Sequence, residues 1–137
     1  MVPHLPDGPT VGLAQNYRDA MTLLAEARDY AAAGVAEDCR ELQPFDRLRV
    51  STRSMQMTAC LAGIIAWLMS QRAVEVGEIA REESHLSEHR LAECPLCAPA
   101  ADEAVQLPSR LELLIRRTLQ LYRRLERLDR LLEGAPA

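Results

Sequence analysis

The chain has 137 residues and 15.3 kDa, with 16 basic residues, all Arg, against 20 acids, for a net charge of -4 and a pI near 5.4. That length holds one ordinary core rather than two cores and a linker. The anionic balance works against sequence-independent binding to DNA phosphates or anionic lipid, and the lack of Lys excludes both a Schiff-base lysine and the lysine of a Walker-type phosphate loop.

Leu and Ala fill 41 positions, Val, Ile and Thr only 16, and aromatics 4% of the chain, which is the composition of an all-α protein. Residues 1–9 carry Pro and Gly without a basic or apolar signal region and read as a flexible leader. A single helical domain is expected over 10–134, followed by a short tail at 135–137. The first helix, about 11–33, starts after Thr10 as N-cap, places Leu13, Tyr17, Ala20, Met21, Leu24, Ala27 and Ala31 on one side, and stops at Gly34.

The second helix is expected over about 44–76, opening at Pro44 and stopping at Gly77. From Met57 to Met69 it is apolar nearly all round, a run of 13 residues, shorter than a bilayer span of roughly 18 to 20. No membrane association is therefore expected. Ala59 with Gly63, and Ala62 with Ala66, are small residues four apart, and with Trp67 they are the candidates for a close helix crossing or a dimer contact. Met55, Met57 and Met69 read as gap-filling core.

The third helix, about 108–133, is the plainest. Pro108 stands at its start and Gly134 at its end, and Leu111, Leu114, Thr118, Leu121, Leu125, Leu128 and Leu132 follow heptad spacing. Arg110, Arg117 and Arg124 flank that seam. Arg116, Arg123 and Arg130 face outward, as a solvated helix back or as a partner surface. Between the second and third helices lies a long connector, 77–107. Residues 74–107 hold eight acids against two Arg, whereas 108–133 hold seven Arg against four acids, so the connector is a candidate to lie near the basic helix or to bind a basic partner. A short helix is expected within it at Glu78 to Leu86.

Thr52-Arg53-Ser54-Met55, Trp67-Leu68-Met69-Ser70-Gln71-Arg72-Ala73-Val74, Gly77-Glu78, Leu121-Tyr122-Arg123-Arg124 and Arg127-Leu128-Asp129 together resemble the regulator of CtrA degradation (RcdA) family of alphaproteobacteria, many members of which are catalogued only as a domain of unknown function. The match is specific over about 45–80 and 107–130. The resemblance implies a three-helix bundle, usually a homodimer, acting as a non-enzymatic adaptor. Such adaptors help deliver cell-cycle regulators, including the response regulator CtrA, to the ClpXP protease together with other adaptor proteins. Its implied partners are thus a second copy, ClpX, response regulators or other adaptors. With the chain ending soon after the third helix, contacts are expected to use the bundle or the connector.

The connector also supplies the competing reading. His85, His89, Cys94 and Cys97 offer two imidazoles and two thiols within 13 residues, the ligand number of a structural zinc site, although the order differs from the usual finger. Cys94-Pro95-Leu96-Cys97 also has the spacing of a dithiol redox motif, without the strand-then-helix context that activates one. Lacking an export signal, the chain is expected in the cytoplasm with its four Cys reduced, Cys39 and Cys60 as small apolar core residues. No nucleophile, base and orienting group assemble, so no catalysis and no cofactor are expected. Nucleic-acid binding by the Arg rows lacks a stacking platform.

Overall fold

The computed structural model describes residues 12–86, 89–97 and 106–134. Helix α1 (Leu13–Asp29) runs through a π turn (Tyr30–Gly34) into α2 (Val35–Cys39); α3 (Pro44–Glu75) and α4 (Ser109–Gly134) complete three rods. Each rod packs on the other two, giving the all-α bundle expected from composition, with no strand among the described residues.

The first rod buries Leu13, Asn16, Ala20, Leu23, Ala27, Tyr30 and Gly34, again at alternating steps of three and four. This corrects the expected face. Tyr17 and Met21 are 40% and 42% exposed, and Ala31 is also exposed. A polar residue, Asn16, occupies the second position of the buried row, so an apolar count selects the neighbouring stripe instead.

Gly34 does not end the helix. It closes the π turn with ordinary helical angles (φ -63°, ψ -39°), and the chain continues to Cys39. A π turn accommodates one extra residue per turn, and here it carries Tyr30 into the core. A Cβ on Gly34 would collide with the Tyr30 ring, which is what glycine relieves. The expected N-cap, Thr10, lies outside the described residues; Gly12 occupies the cap with φ 88°.

Pro44 is the first residue of α3, where its missing N–H costs nothing. At the other end Gly77 has φ 83°, and the Glu78 N–H to Ala73 C=O (2.8 Å) and Gly77 N–H to Val74 C=O (3.1 Å) bonds form a Schellman stop. Val50, Ser54, Met57, Leu61, Ile64, Leu68 and Gln71 face the other rods. By length and composition α3 could also cross a membrane, a property shared by core helices whose second side is uncharged. On α4, Leu111, Leu114, Thr118, Leu121 and Leu125 are buried and Leu128 and Leu132 half-buried, the seam its spacing predicts. Thr118, its one polar member, donates to the Leu114 carbonyl at 2.8 Å and so leaves no buried hydroxyl unsatisfied.

After α3 the chain does not form the expected helix over Glu78 to Leu86; a single 3-10 turn at Glu83–His85 is all that regularises there. A second 3-10 turn, Pro95–Cys97, packs on α3 and buries Leu96. Residues 89–97 therefore act as a strap laid against α3 and α4.

The two interior glycines separate cleanly. Gly63 does not mark a close helix crossing, because a Cβ there would meet only the Ala92 side chain of the strap, at 3.8 Å. Urea denaturation should show Gly34→Ala losing about 1–3 kcal/mol to the Tyr30 clash. Gly63→Ala should instead be neutral or gain up to about 1 kcal/mol in helix propensity. The reverse order would contradict this account of the π turn.

Candidate functional site

Three residues that carry the family resemblance help hold α3, α4 and the strap together. Trp67 of α3, 2% exposed, donates its indole N–H to Asp129 Oδ1 of α4 at 3.1 Å. Arg90 of the strap clamps both carboxylate oxygens of Asp129, donating from Nε to Oδ1 at 3.3 Å and to Oδ2 at 3.2 Å, and from one terminal nitrogen to Oδ2 at 3.1 Å. Tyr122 of α4, also buried, donates its hydroxyl to the Ala92 carbonyl at 3.1 Å, and burial pushes its phenol above the ordinary tyrosine value. A planar guanidinium on a carboxylate is a directional contact, so Asp129 fixes α3, α4 and the strap together. Trp67 is thus a core and anchoring residue rather than a dimer contact. Its indole needs a partner when buried, which explains a Trp at that position.

The strap is also joined to α3 by sulfur. Cys60 and Cys94 form a disulfide with Cα atoms 4.9 Å apart, although 34 residues separate them. This overturns the expectation of four reduced thiols: Cys39 is free and buried, and Cys97 is free and exposed. It also dissolves the zinc set. Of His85, His89, Cys94 and Cys97, Cys94 has its sulfur bonded to Cys60 and offers no thiolate to a metal. Among the described residues no group of three or more His, Cys, Asp or Glu could hold a metal ion.

On the opposite side of α4, three Arg one heptad apart reach acids of the first rod. Arg110 contacts Asp38 at 2.9 Å and Glu37 at 3.1 Å, Arg117 contacts Glu26 at 2.8 Å, and Arg124 contacts Asp19 at 3.3 Å. Among the described residues this row of the basic helix is complemented by α1 and α2. Exposed pairs of this kind contribute little stability individually; repeated at heptad spacing they set the register of two rods. At the end of the row the Arg110 guanidinium holds the Asp38 carboxyl below its usual range. Burial, helped by the hydrogen bond to Asp38, pushes the Tyr30 phenol far above the ordinary value. Arg116, Arg123 and Arg130 are exposed on the outer face of α4, with Arg130 lying 3.7 Å from Glu126.

A row of exposed apolar side chains runs along α3 to its C-cap, Val76. Phe45, Leu48, Met55, Met69 and Val76 are 62%, 63%, 72%, 60% and 57% exposed. Ala59, Ala62 and Ala66 are exposed between them, whereas Gly63 is half-buried beneath the strap. Met55 and Met69 are therefore surface, not core filling; Met57 alone of the three is buried. The full row, Phe45, Leu48, Thr52, Met55, Ala59, Ala62, Ala66, Met69, Ala73 and Val76, alternates steps of three and four without a break. No charged residue occurs between Arg53 and Arg72. Sequence reasoning identified only the alanines of this stripe; the uncharged stretch and the second heptad row were the signals for the rest.

The Asp129 junction is testable by paired variants. Asp129→Ala removes the acceptor of Trp67 and the partner of Arg90 and should cost about 1–3 kcal/mol in denaturation. Asp129→Asn keeps an acceptor for the indole and should cost less. Equal losses would show that the indole bond is irrelevant.

The crystal structure of RcdA from Caulobacter crescentus CB15 superposes with a TM-score of 0.71 at 28% identity, covering 90% of this chain and 92% of that one. No curated protein matches. The pattern of the family described as "Protein of unknown function (DUF1465)" matches residues 11–137, and the chain belongs to that family.

Proposed function

We propose that this protein is a non-enzymatic adaptor that works as a homodimer, pairing through the exposed face of α3. By its likeness to RcdA, it helps bring response regulators such as CtrA to the ClpXP protease. The observation that carries the reading is the α3 stripe: a bundle with a filled core leaves an apolar ribbon about 48 Å long facing outward. Exposed apolar surface of that extent is a binding surface.

The stripe is self-complementary. In an antiparallel pair with its two-fold axis between Ala59 and Ala62, Ala59 lies opposite Ala62 of a second copy. Met55 then faces Ala66, Thr52 faces Met69, Leu48 faces Ala73, and Phe45 faces Val76. Nearly every large side chain meets a smaller one, which suits an isologous contact. Pairing through α3 leaves Arg116, Arg123 and Arg130 on the outer face of α4 as the surface for the delivered protein or the protease.

Sedimentation should find a dimer for the wild type and a monomer of unchanged helicity for Ala62→Arg. A monomeric wild type would remove the dimer, and flotation of that monomer with phospholipid vesicles would assign the stripe to lipid instead. The adaptor role predicts that purified protein accelerates degradation of a CtrA-type response regulator by ClpXP, and that Arg116→Glu with Arg123→Glu abolishes the acceleration while leaving the dimer intact. An unchanged degradation rate, with no binding to ClpX or to the regulator, would contradict it.

A further inference from the structure

A third cysteine sits beside the disulfide that ties down the strap. Cys94 and Cys97 are the first and last residues of one tight turn, closed by the Cys97 N–H to Cys94 C=O bond at 2.9 Å. Such a turn brings its end residues within the Cα separation that a disulfide spans. Both also line one surface cavity of about 490 Å³ with Glu93, Pro95, Tyr122 and Glu126. Cys60 and Cys94 are buried, whereas Cys97 is free and exposed. The Arg53 guanidinium of α3 lies within electrostatic reach of Cys97. Cys39 is packed at the end of α2 and bonded to no other cysteine.

We propose that Cys97 is a thiol–disulfide exchange site that moves the bridge from Cys60–Cys94 to Cys94–Cys97. The Cys97 thiol gives its proton to solvent and its sulfur attacks Cys94 Sγ. The Cys94–Cys97 bond forms as the Cys60–Cys94 bond breaks, and Cys60 leaves as a thiolate that takes a proton from solvent. The step is an isomerisation: one disulfide is present before and after, and no external oxidant or reductant is consumed. Its structural consequence is that the strap loses its covalent tie to the middle of α3. Leu96, the Tyr122–Ala92 hydrogen bond and the Arg90–Asp129 pair then hold the strap without it. The inference is independent of the adaptor reading, since it concerns the chain's own sulfurs.

Trypsin makes the two isomers distinguishable. Cleavage at Arg53 and Arg72 isolates Cys60 on the peptide 54–72, and cleavage at Arg90 and Arg110 places Cys94 and Cys97 together on 91–110. The folded, oxidised protein is held at pH 8 without added thiol, quenched with acid, alkylated with N-ethylmaleimide under denaturing conditions at mildly acidic pH, digested and analysed by mass spectrometry. The expected map contains two populations. In one, the two peptides are crosslinked and Cys97 is alkylated; in the other, 91–110 carries an internal disulfide and Cys60 is alkylated. Cys97→Ser should show only the crosslinked pair, and its strap amides should exchange hydrogen more slowly than those of the wild type. A wild-type map with Cys97 always alkylated and Cys60 never alkylated would overturn the proposal. So would an internal 91–110 bridge that appears only after unfolding.

Discussion

The structure turns on a helix that is apolar on two sides. Between Arg53 and Arg72, α3 carries no charge. One side supplies Met57, Leu61, Ile64 and Leu68 to the only large core the chain builds among the described residues. The other cannot be covered by α1 and α4, which already meet each other behind α3. Three rods enclose one shared seam, and a helix hydrophobic on both sides needs a fourth neighbour. The strap reaches Gly63 and Cys60 and covers an edge of α3. The ribbon from Phe45 to Val76 stays open, and the proposed dimer supplies its neighbour from a second copy.

Polar contacts then decide how the rods are held. Hydrophobic burial has no direction, so register and handedness of a small bundle depend on groups that do. Two sets do this work on opposite sides of α4. The Arg110, Arg117 and Arg124 row aligns α4 with the first rod through Asp38, Glu37, Glu26 and Asp19. Asp129 takes the Trp67 indole and the Arg90 guanidinium, joining α3, α4 and the strap at one carboxylate. Arg116, Arg123 and Arg130 stay exposed on the outer face of α4.

Much of this was legible in the residues. The Leu111 to Leu132 seam is the simplest case, since every seam position is Leu except Thr118, and that hydroxyl is satisfied within its own helix. Pro44 and Gly77 bracketed α3 through plain local chemistry: a fixed φ at one end, a positive φ at the other. The first rod was misread because its core row contains Asn16 and Gly34, residues that an apolar pattern skips. Gly34 resembles a helix stop in sequence and is instead a glycine demanded by the ring of Tyr30. The disulfide was out of reach for a different reason. Cys60 and Cys94 lie 34 residues apart, and only the path of the strap across α3 brings them together. Trp67, Tyr122 and Asp129 were recognised as kinship residues; the Trp67–Asp129 bond and the Tyr122–Ala92 bond needed the fold.

The most direct test of the two-sided helix is to capture its second neighbour covalently. With Cys39 and Cys97 replaced by Ser, a chain carrying both Leu48→Cys and Ala73→Cys is oxidised and run on a non-reducing gel. The new cysteines lie about 37 Å apart along one α3 and cannot bridge within a chain. The account predicts that the double variant becomes a covalent dimer while neither single variant does. A monomer from the double variant, or a dimer from Leu48→Cys alone, would contradict it.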